Sequence, residues 1–187
     1  MNPRHLLESI ATDGTGLRMS LEWHQDRYQH VIDHVAGSQV TRLMESSPAA
    51  DPPCSPELPV LQQLSIESRP GSTQVALGVG MSGQNHWSMS IETAPDSRML
   101  LFDVACRVTE AIDHLASGYQ LAAPLEHIDA ASAQWQTPAG ICKIQAIHSD
   151  HAAALDFRQL QDQLFLQPQV TAEEAPYTLR WQYRVIG

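Results

Sequence analysis

Four polar side chains in one short stretch are of the types that serine hydrolases use for catalysis: His86, Ser88, Ser90 and Asp103. In that chemistry a histidine, itself oriented by a carboxylate, takes the serine proton across a direct hydrogen bond. Alternate residues on one face of a strand lie about 7 Å apart, which is too far for such a bond from either serine to His86. The chain also has no G-x-S-x-G nucleophile elbow. The sequence therefore predicts against a hydrolase triad.

A second set of residues has the types and spacing to bind a metal ion. His148, Asp150 and His151 are close in sequence, so their imidazole and carboxylate groups can gather around one cation. The spacing lacks the glutamate of the H-E-x-x-H motif, and Asp150 is equally typical of a turn. His30 and His34 would be about 13 Å apart along an extended strand, too far to share an ion. The predicted metal ligands are thus His148, Asp150 and His151, with a plain turn as the alternative.

The cysteines and glycines carry no recognised cofactor motif. The chain has no G-x-G-x-x-G, no phosphate-binding G-x-x-x-x-G-K and no C-x-x-C. Cys54, Cys106 and Cys142 are odd in number and far apart, which predicts reduced thiols rather than a disulfide framework. We predict no cofactor.

Residues 60–108 are expected to hold the first group of polar side chains in a four-stranded antiparallel meander. Apolar residues alternate with polar ones in four runs, separated by turns that contain glycine or proline. The apolar side of each strand is predicted to face the core. These core positions are Leu64, Ile66, Val75, Leu77, Val79, Met81, Trp87, Met89, Ile91, Leu100, Phe102, Val104 and Cys106.

The turn "TAPDS" between the last two strands decides which polar residues meet. If it pairs Glu92 with Ser97, His86 falls opposite Asp103. Directly opposed residues have Cβ atoms about 4.5 to 5.5 Å apart, so the imidazole can donate to the carboxylate. Such a pair occurs in structural as well as catalytic settings.

The polar side of the meander is the predicted ligand-binding face. The second strand of the meander, which runs from Val75 to Met81, is expected to add Gly78 and Gly80 to this face. Because glycine has no side chain, a ligand, a helix or another subunit could approach the backbone there. The predicted ligand-binding residues are His86, Ser88, Ser90, Asp103, Arg107, Gly78 and Gly80. The alternative is structural, with a helix or a second sheet packed on these small residues.

Two elements are predicted before the meander. Asn2 followed by Pro3 is a helix-start signal, which predicts a short helix over residues 3–12. A hairpin with the turn "HQDR" follows, and the register in which His24 faces Arg27 matches charged, aromatic and aliphatic partners. These partners are Arg18 with Asp33, Trp23 with Tyr28, and Met19 with Ile32.

Five prolines in residues 47–59 predict a long connector, because proline cannot donate to a sheet ladder. We interpret it as a crossing within a single domain of residues 1–187, since the 46 residues before it are too few for a strong core. Residues 109–118 and 151–166 fit either helix or strand, with strands favoured for the second segment. Residues 179–185 alternate as a final strand.

The charge balance limits the classes of partner. Eleven Lys and Arg stand against 21 Asp and Glu, for a net charge of −10. The average field repels phosphate and no basic run offsets it, so neither nucleic acid nor a membrane is an expected partner. The chain has no run of about 18 apolar residues and no signal-peptide core at its start, which predicts a soluble, cytoplasmic protein.

The elements together predict a mainly β protein, an antiparallel β-sandwich or open barrel of about nine to ten strands with one or two short helices. The favoured function is a non-catalytic module that binds a small ligand or a protein partner, which includes a homodimer. The alternative is a metal-assisted hydrolase or isomerase in a β-barrel, with histidine and aspartate as ligands or general base.

Overall fold

The computed structural model describes residues 4–47, 57–109, 114–170 and 174–187, where almost all regular structure is β. The strands in these ranges are β1 (Arg4–Ile10), β2 (Thr15–His24), β3 (Arg27–Ala36), β4 (Gln39–Ser46), β5 (Gln63–Ser68), β6 (Gln74–Ser82), β7 (Asn85–Ala94), β8 (Met99–Val108), β9 (Ser117–Leu121), β10 (His127–Ile128), β11 (Ser132–Thr137), β12 (Gly140–Ala146), β13 (Leu155–Leu160), β14 (Gln163–Pro168) and β15 (Tyr177–Ile186). Two single-turn 3-10 helices lie at Pro70–Ser72 and Pro95–Ser97. No helix in this part of the chain is long and apolar enough to cross a membrane.

The strands form two antiparallel sheets that share one core. The first sheet has the order β1-β2-β3-β4-β9-β14-β13, and the second has the order β10-β11-β12-β15-β8-β7-β6-β5. The predicted fold class, a mainly β antiparallel sandwich, is confirmed. The strands of the described residues outnumber the nine or ten expected, because short ones such as the two-residue β10 offer too few alternating positions to recognise in a sequence.

Aromatic residues from both sheets fill the space between them. The largest fully buried side chains are Trp87, Trp135, Trp181, Tyr119, Tyr183 and Phe102. Phe102 of β8 stacks on Tyr183 of β15 with ring centroids 4.7 Å apart, and Trp87 of β7 meets Trp181 edge to face at 6.0 Å. The prediction that Trp87 and Phe102 face the core is confirmed. Burial of such large apolar areas is the main term that holds the sheets together.

The β2–β3 hairpin has the predicted register. His24 pairs with Arg27, and the three other predicted pairs are also directly opposed. The charged pair is opposed without forming an ion pair, because Arg18 bonds to Glu8 of β1 (Nε to Oε1, 2.7 Å). Register therefore followed from local pairing rules, whereas the choice of ionic partner depended on the next strand.

The predicted N-terminal helix over residues 3–12 is wrong, because residues 4–10 form the strand β1. This strand pairs with β2 along its whole length and alternates, with Leu7 buried and Leu6 exposed. An isolated helix this short is marginal in water, whereas pairing with β2 satisfies the backbone. Gly16 permits the close pairing, since a Cβ there would lie 2.1 Å from the Ser9 carbonyl oxygen.

The structure also settles two of the open segments in part. Residues 151–166 contain β13 and β14, so the favoured strand interpretation is confirmed. Of residues 109–118, positions 110–113 lie outside the described residues, and β9 begins at Ser117. Most of the predicted connector, residues 48–56, also lies outside the described residues.

Candidate functional site

The β7–β8 pairing differs from the predicted one and changes the neighbour of His86. Ala94 pairs with Met99, so His86 lies opposite Arg107 and Asp103 lies opposite Ser90. The prediction of a direct His86–Asp103 pair is therefore wrong. The turn keeps its predicted length of four residues but lies two residues further along the chain, because β7 runs on to Ala94 before the 3-10 turn. The partner of His86 moves by an even number of residues, so every side chain keeps its predicted face.

The orientation of β6 is the opposite of the predicted one. Leu77, Val79 and Met81 are 40%, 46% and 45% exposed, whereas Gly78 and Gly80 face the core. Neither glycine therefore projects to the face that carries the predicted serines, although the backbone of Gly80 borders that face.

A covering segment, residues 57–62, explains this reversal. It packs against the inner side of β6, where a Cβ on Gly78 would lie 3.0 Å from the Leu61 methyl groups. A Cβ on Gly80 would lie 2.2 Å from the Val60 carbonyl oxygen, well inside contact distance. The segment supplies the apolar side chains that fill the core here, so the strand beneath it needs glycine on that side.

The outer face of the second sheet brings together the other five predicted ligand-binding residues. Across β6, β7, β8 and β15 the side chains fall in three rows: Leu77, Ser90, Asp103 and Gln182; Val79, Ser88, Ala105 and Arg180; and Met81, His86, Arg107 and Thr178. Small side chains lie in the middle of the second row, between larger ones on both sides. The result is a groove of about 480 Å³, here called the outer groove, which lies over Ser88 and Ala105.

Asp103 is held in an internal ion pair. The Arg180 guanidinium donates to both of its carboxylate oxygens, with 2.7 Å between Nε and Oδ1, and Gln182 donates at 2.9 Å. Partial burial works to raise the pKa of Asp103, but these hydrogen bonds outweigh it and hold that pKa below its usual range. Asp103 is therefore a charged, fully engaged acceptor.

Arg107 and His86 differ from Asp103 in having no such partner. Among the described residues, neither side chain makes a hydrogen bond or an ion pair, although the two are directly opposed at one end of the outer groove. Thr178 lies on the other side of Arg107. This end of the groove thus presents hydrogen-bond donors to solvent.

The structure reveals a second polar cluster, between the sheets, that sequence reasoning missed. His30 of β3 lies 3.3 Å (Nε2 to OH) from Tyr119 of β9, whose hydroxyl is 2.6 Å from that of Tyr183 in β15. Nearby, the Trp181 indole donates to the Ser117 hydroxyl at 3.0 Å. His30, Ser117, Tyr119 and Tyr183 border a cavity of about 20 Å³, which is room for one water molecule.

Burial keeps this inter-sheet cluster uncharged. It lowers the pKa of His30 to about 4 and raises the pKa of Tyr183 to about 12. It also raises the pKa of Tyr119 well above its usual value. The period-two pattern around His30 was a signal that it faces the core, but its partners lie far along the chain and no local pattern identifies them.

The predicted metal ligands His148, Asp150 and His151 lie exposed in the connection between β12 and β13. Within the described ranges, no group of three or more His, Cys, Asp or Glu side chains is arranged to hold a metal ion. The structure therefore does not bring these three residues together as a ligand set.

The described cysteines are buried thiols, as predicted. Cys106 and Cys142 are free, and burial raises the pKa of each to about 12. Both are therefore protonated and serve as small apolar side chains of the core. Cys54 lies outside the described residues.

Comparison of the sequence with protein families and with curated proteins gives no relative from which a role could be transferred. No protein-family model matches the chain, and no curated protein matches its sequence. Function must therefore be argued from the two polar sites themselves.

Proposed function

We propose that this protein is a non-catalytic binding module that takes a small ligand in the outer groove. The proposal rests on one observation, namely that an exposed apolar wall of the groove lies next to a polar end. Val79 and Met81 form an exposed apolar wall on β6, and the end next to it presents Arg107 and His86, which have no bonding partner among the described residues. Ligand sites combine apolar surface with a few polar groups in this way, and their volumes are usually about 300 to 1,000 Å³.

The outer groove supports this proposal better than the inter-sheet cluster does. The cavity beside His30 has room for one water molecule, so no larger molecule fits without opening the sandwich. Its hydroxyl and imidazole groups also bond to one another. The groove is open, larger, and has polar groups that remain available.

A neutral fluorescent dye that responds to apolar surfaces, Nile red, tests the proposal. Val79→Ser removes most of the apolar wall at the centre of the groove and should weaken dye binding about three- to tenfold, in line with the loss of one partly buried apolar side chain. Ile141→Ser is the matched control, because Ile141 is also β-branched, is 50% exposed, and lies on β12 outside the groove.

The control variant should bind the dye as the wild-type protein does. Circular dichroism and thermal unfolding should show that both variants fold. If the dye does not bind, or if both substitutions weaken binding equally, the groove is not the site.

A further inference from the structure

We infer that the ligand of the outer groove is a small organic carboxylate with an apolar body. This inference rests on the proposed function and names the chemical class of its ligand. Three features of the groove carry it: the sign of its charge, the geometry of its polar end, and its size.

The charge of the groove is opposite to that of the protein as a whole. Acidic residues outnumber basic ones by 21 to 11 in the sequence. Yet the ionisable side chains among the described residues that line the groove are His86 and Arg107, and none of these lining residues is acidic. In an acidic protein, a groove with a cation and no carboxylate attracts an anion more strongly than the surrounding surface does.

The polar end of the groove has the geometry to hold one carboxylate. Arg107 lies between His86 and Thr178 in directly opposed positions, so their Cβ atoms are about 4.5 to 5.5 Å from that of Arg107. A guanidinium group can donate to both oxygens of a carboxylate, and the neighbouring imidazole and hydroxyl can add further hydrogen bonds. One cation without a partner matches a ligand with a single negative charge.

The same face already contains an internal example of this arrangement. Two residues along β15 from Thr178, the Arg180 guanidinium donates to both oxygens of Asp103, which lies four residues from Arg107 on β8. There the protein supplies its own carboxylate. Among the described residues, no carboxylate bonds to Arg107. A carboxylate of the ligand would therefore form the ion pair that Asp103 forms with Arg180.

The size of the apolar wall favours a small molecule over a protein partner. The exposed apolar side chains of β6 are Leu77, Val79 and Met81. A stable protein interface uses about 20 to 30 residues of all types on each side, more than the eleven described residues that line the groove. A volume of about 480 Å³ is instead in the range of small-molecule sites.

Two probes with the same apolar tail separate the charge from the apolar contact: octanoate and 1-octanol. Each is titrated into the isotope-labelled protein, and binding is followed by NMR shifts of the backbone amides of β6, β7 and β8. We expect octanoate to bind about tenfold more tightly than octanol, because the guanidinium bonds only to the anion. Arg107→Gln should remove this preference and leave octanol binding unchanged.

Arg184→Gln is the matched control. Arg184 lies on the outer face of the same sheet but outside the groove, and it bonds to Gln145 rather than to a carboxylate. The substitution changes the net charge by the same amount as Arg107→Gln, so it should leave the preference for octanoate intact. Equal loss in both variants would mean that octanoate senses only the overall charge, which overturns the inference.

The remaining outcomes separate the inference from the proposed function. If both probes bind the groove equally and Arg107→Gln changes neither, the carboxylate assignment is wrong and the binding function stands. If neither probe shifts the groove amides, both fall. If the protein is a dimer in solution and the groove amides are protected in it, the occupant is a second copy, and the inference is overturned.

Discussion

Acidification should destabilise this protein through His30, between pH 6.5 and about pH 4. Burial lowers the pKa of this imidazole from 6.5 to about 4 in the folded state. In the unfolded chain the same group takes up a proton near pH 6.5, so between these values the unfolded state binds more protons than the folded one. Stability is thus fully present above pH 6.5 and is lost as the pH falls toward 4.

The size of the effect follows from the two pKa values. One pKa unit corresponds to about 1.4 kcal/mol, so the His30 contribution falls by about 2 kcal/mol at pH 5 and about 3 kcal/mol near pH 4. His34 acts in the same direction, because burial and then the charge of Arg98 lower its pKa. Asp103 does not contribute in this range, since its pKa is lowered from 3.8 and its stabilising effect is lost only at more acidic pH.

Urea denaturation at several pH values between 7.5 and 4.5 measures this loss as a fall in the midpoint at constant slope. His30→Gln removes the titrating group while keeping a polar side chain near Tyr119, so its stability should be lower at pH 7.5 but should depend less on pH. His86→Gln is the control, because it also replaces one histidine, but an exposed one outside the core, so the loss of stability attributed to His30 should persist in this variant. A wild-type midpoint that is constant between pH 7.5 and 5, or an unaltered pH dependence in His30→Gln, would refute the reasoning.

Two further predictions concern the covering segment and the ion pair. Gly80→Ala should destabilise the protein by roughly 3 kcal/mol or more and more than Gly78→Ala does, since the first Cβ meets a main-chain oxygen at 2.2 Å and the second meets movable methyl groups at 3.0 Å. Thermal unfolding of both variants checks the order, and equal effects would contradict it. Arg180→Gln should raise the pKa of Asp103 because it removes the guanidinium donor. A carboxyl NMR titration measures that pKa, and an unchanged value would mean that Arg180 does not control it.

Local features of the sequence predicted the parts of the fold that depend on neighbouring strands. The β2–β3 register followed from a turn and three complementary pairs, since each partner lies on the adjacent strand. The predicted β7–β8 register was wrong because a four-residue turn fits at more than one position around "TAPDS", and no flanking pair distinguished these positions. The faces of these two strands were still correct, because an even shift preserves the alternation.

The candidate site could be predicted only in part, because its apolar wall depends on a distant segment. Leu77, Val79 and Met81 do alternate on β6, but their side chains face solvent. The core side of this strand is occupied by Val60 and Leu61 of the covering segment. Apolar alternation alone cannot show which face is buried when a nonadjacent segment covers the strand. Likewise, the Asp103 partner Arg180 is distant in sequence and came into view only with the order of the strands.

The reversed orientation of β6 is also what makes the outer groove chemically distinct. With the predicted orientation, glycines would border Ser88, and the face would be polar and almost flat. With the observed one, Val79 stands beside Ser88, so apolar surface lies next to the donors of His86 and Arg107. Exposed apolar side chains on three alternate positions of a strand are a cost in water unless something covers them. The same covering segment that completes the core therefore leaves the outer face with an apolar wall, and a ligand with an apolar body would gain by burying it.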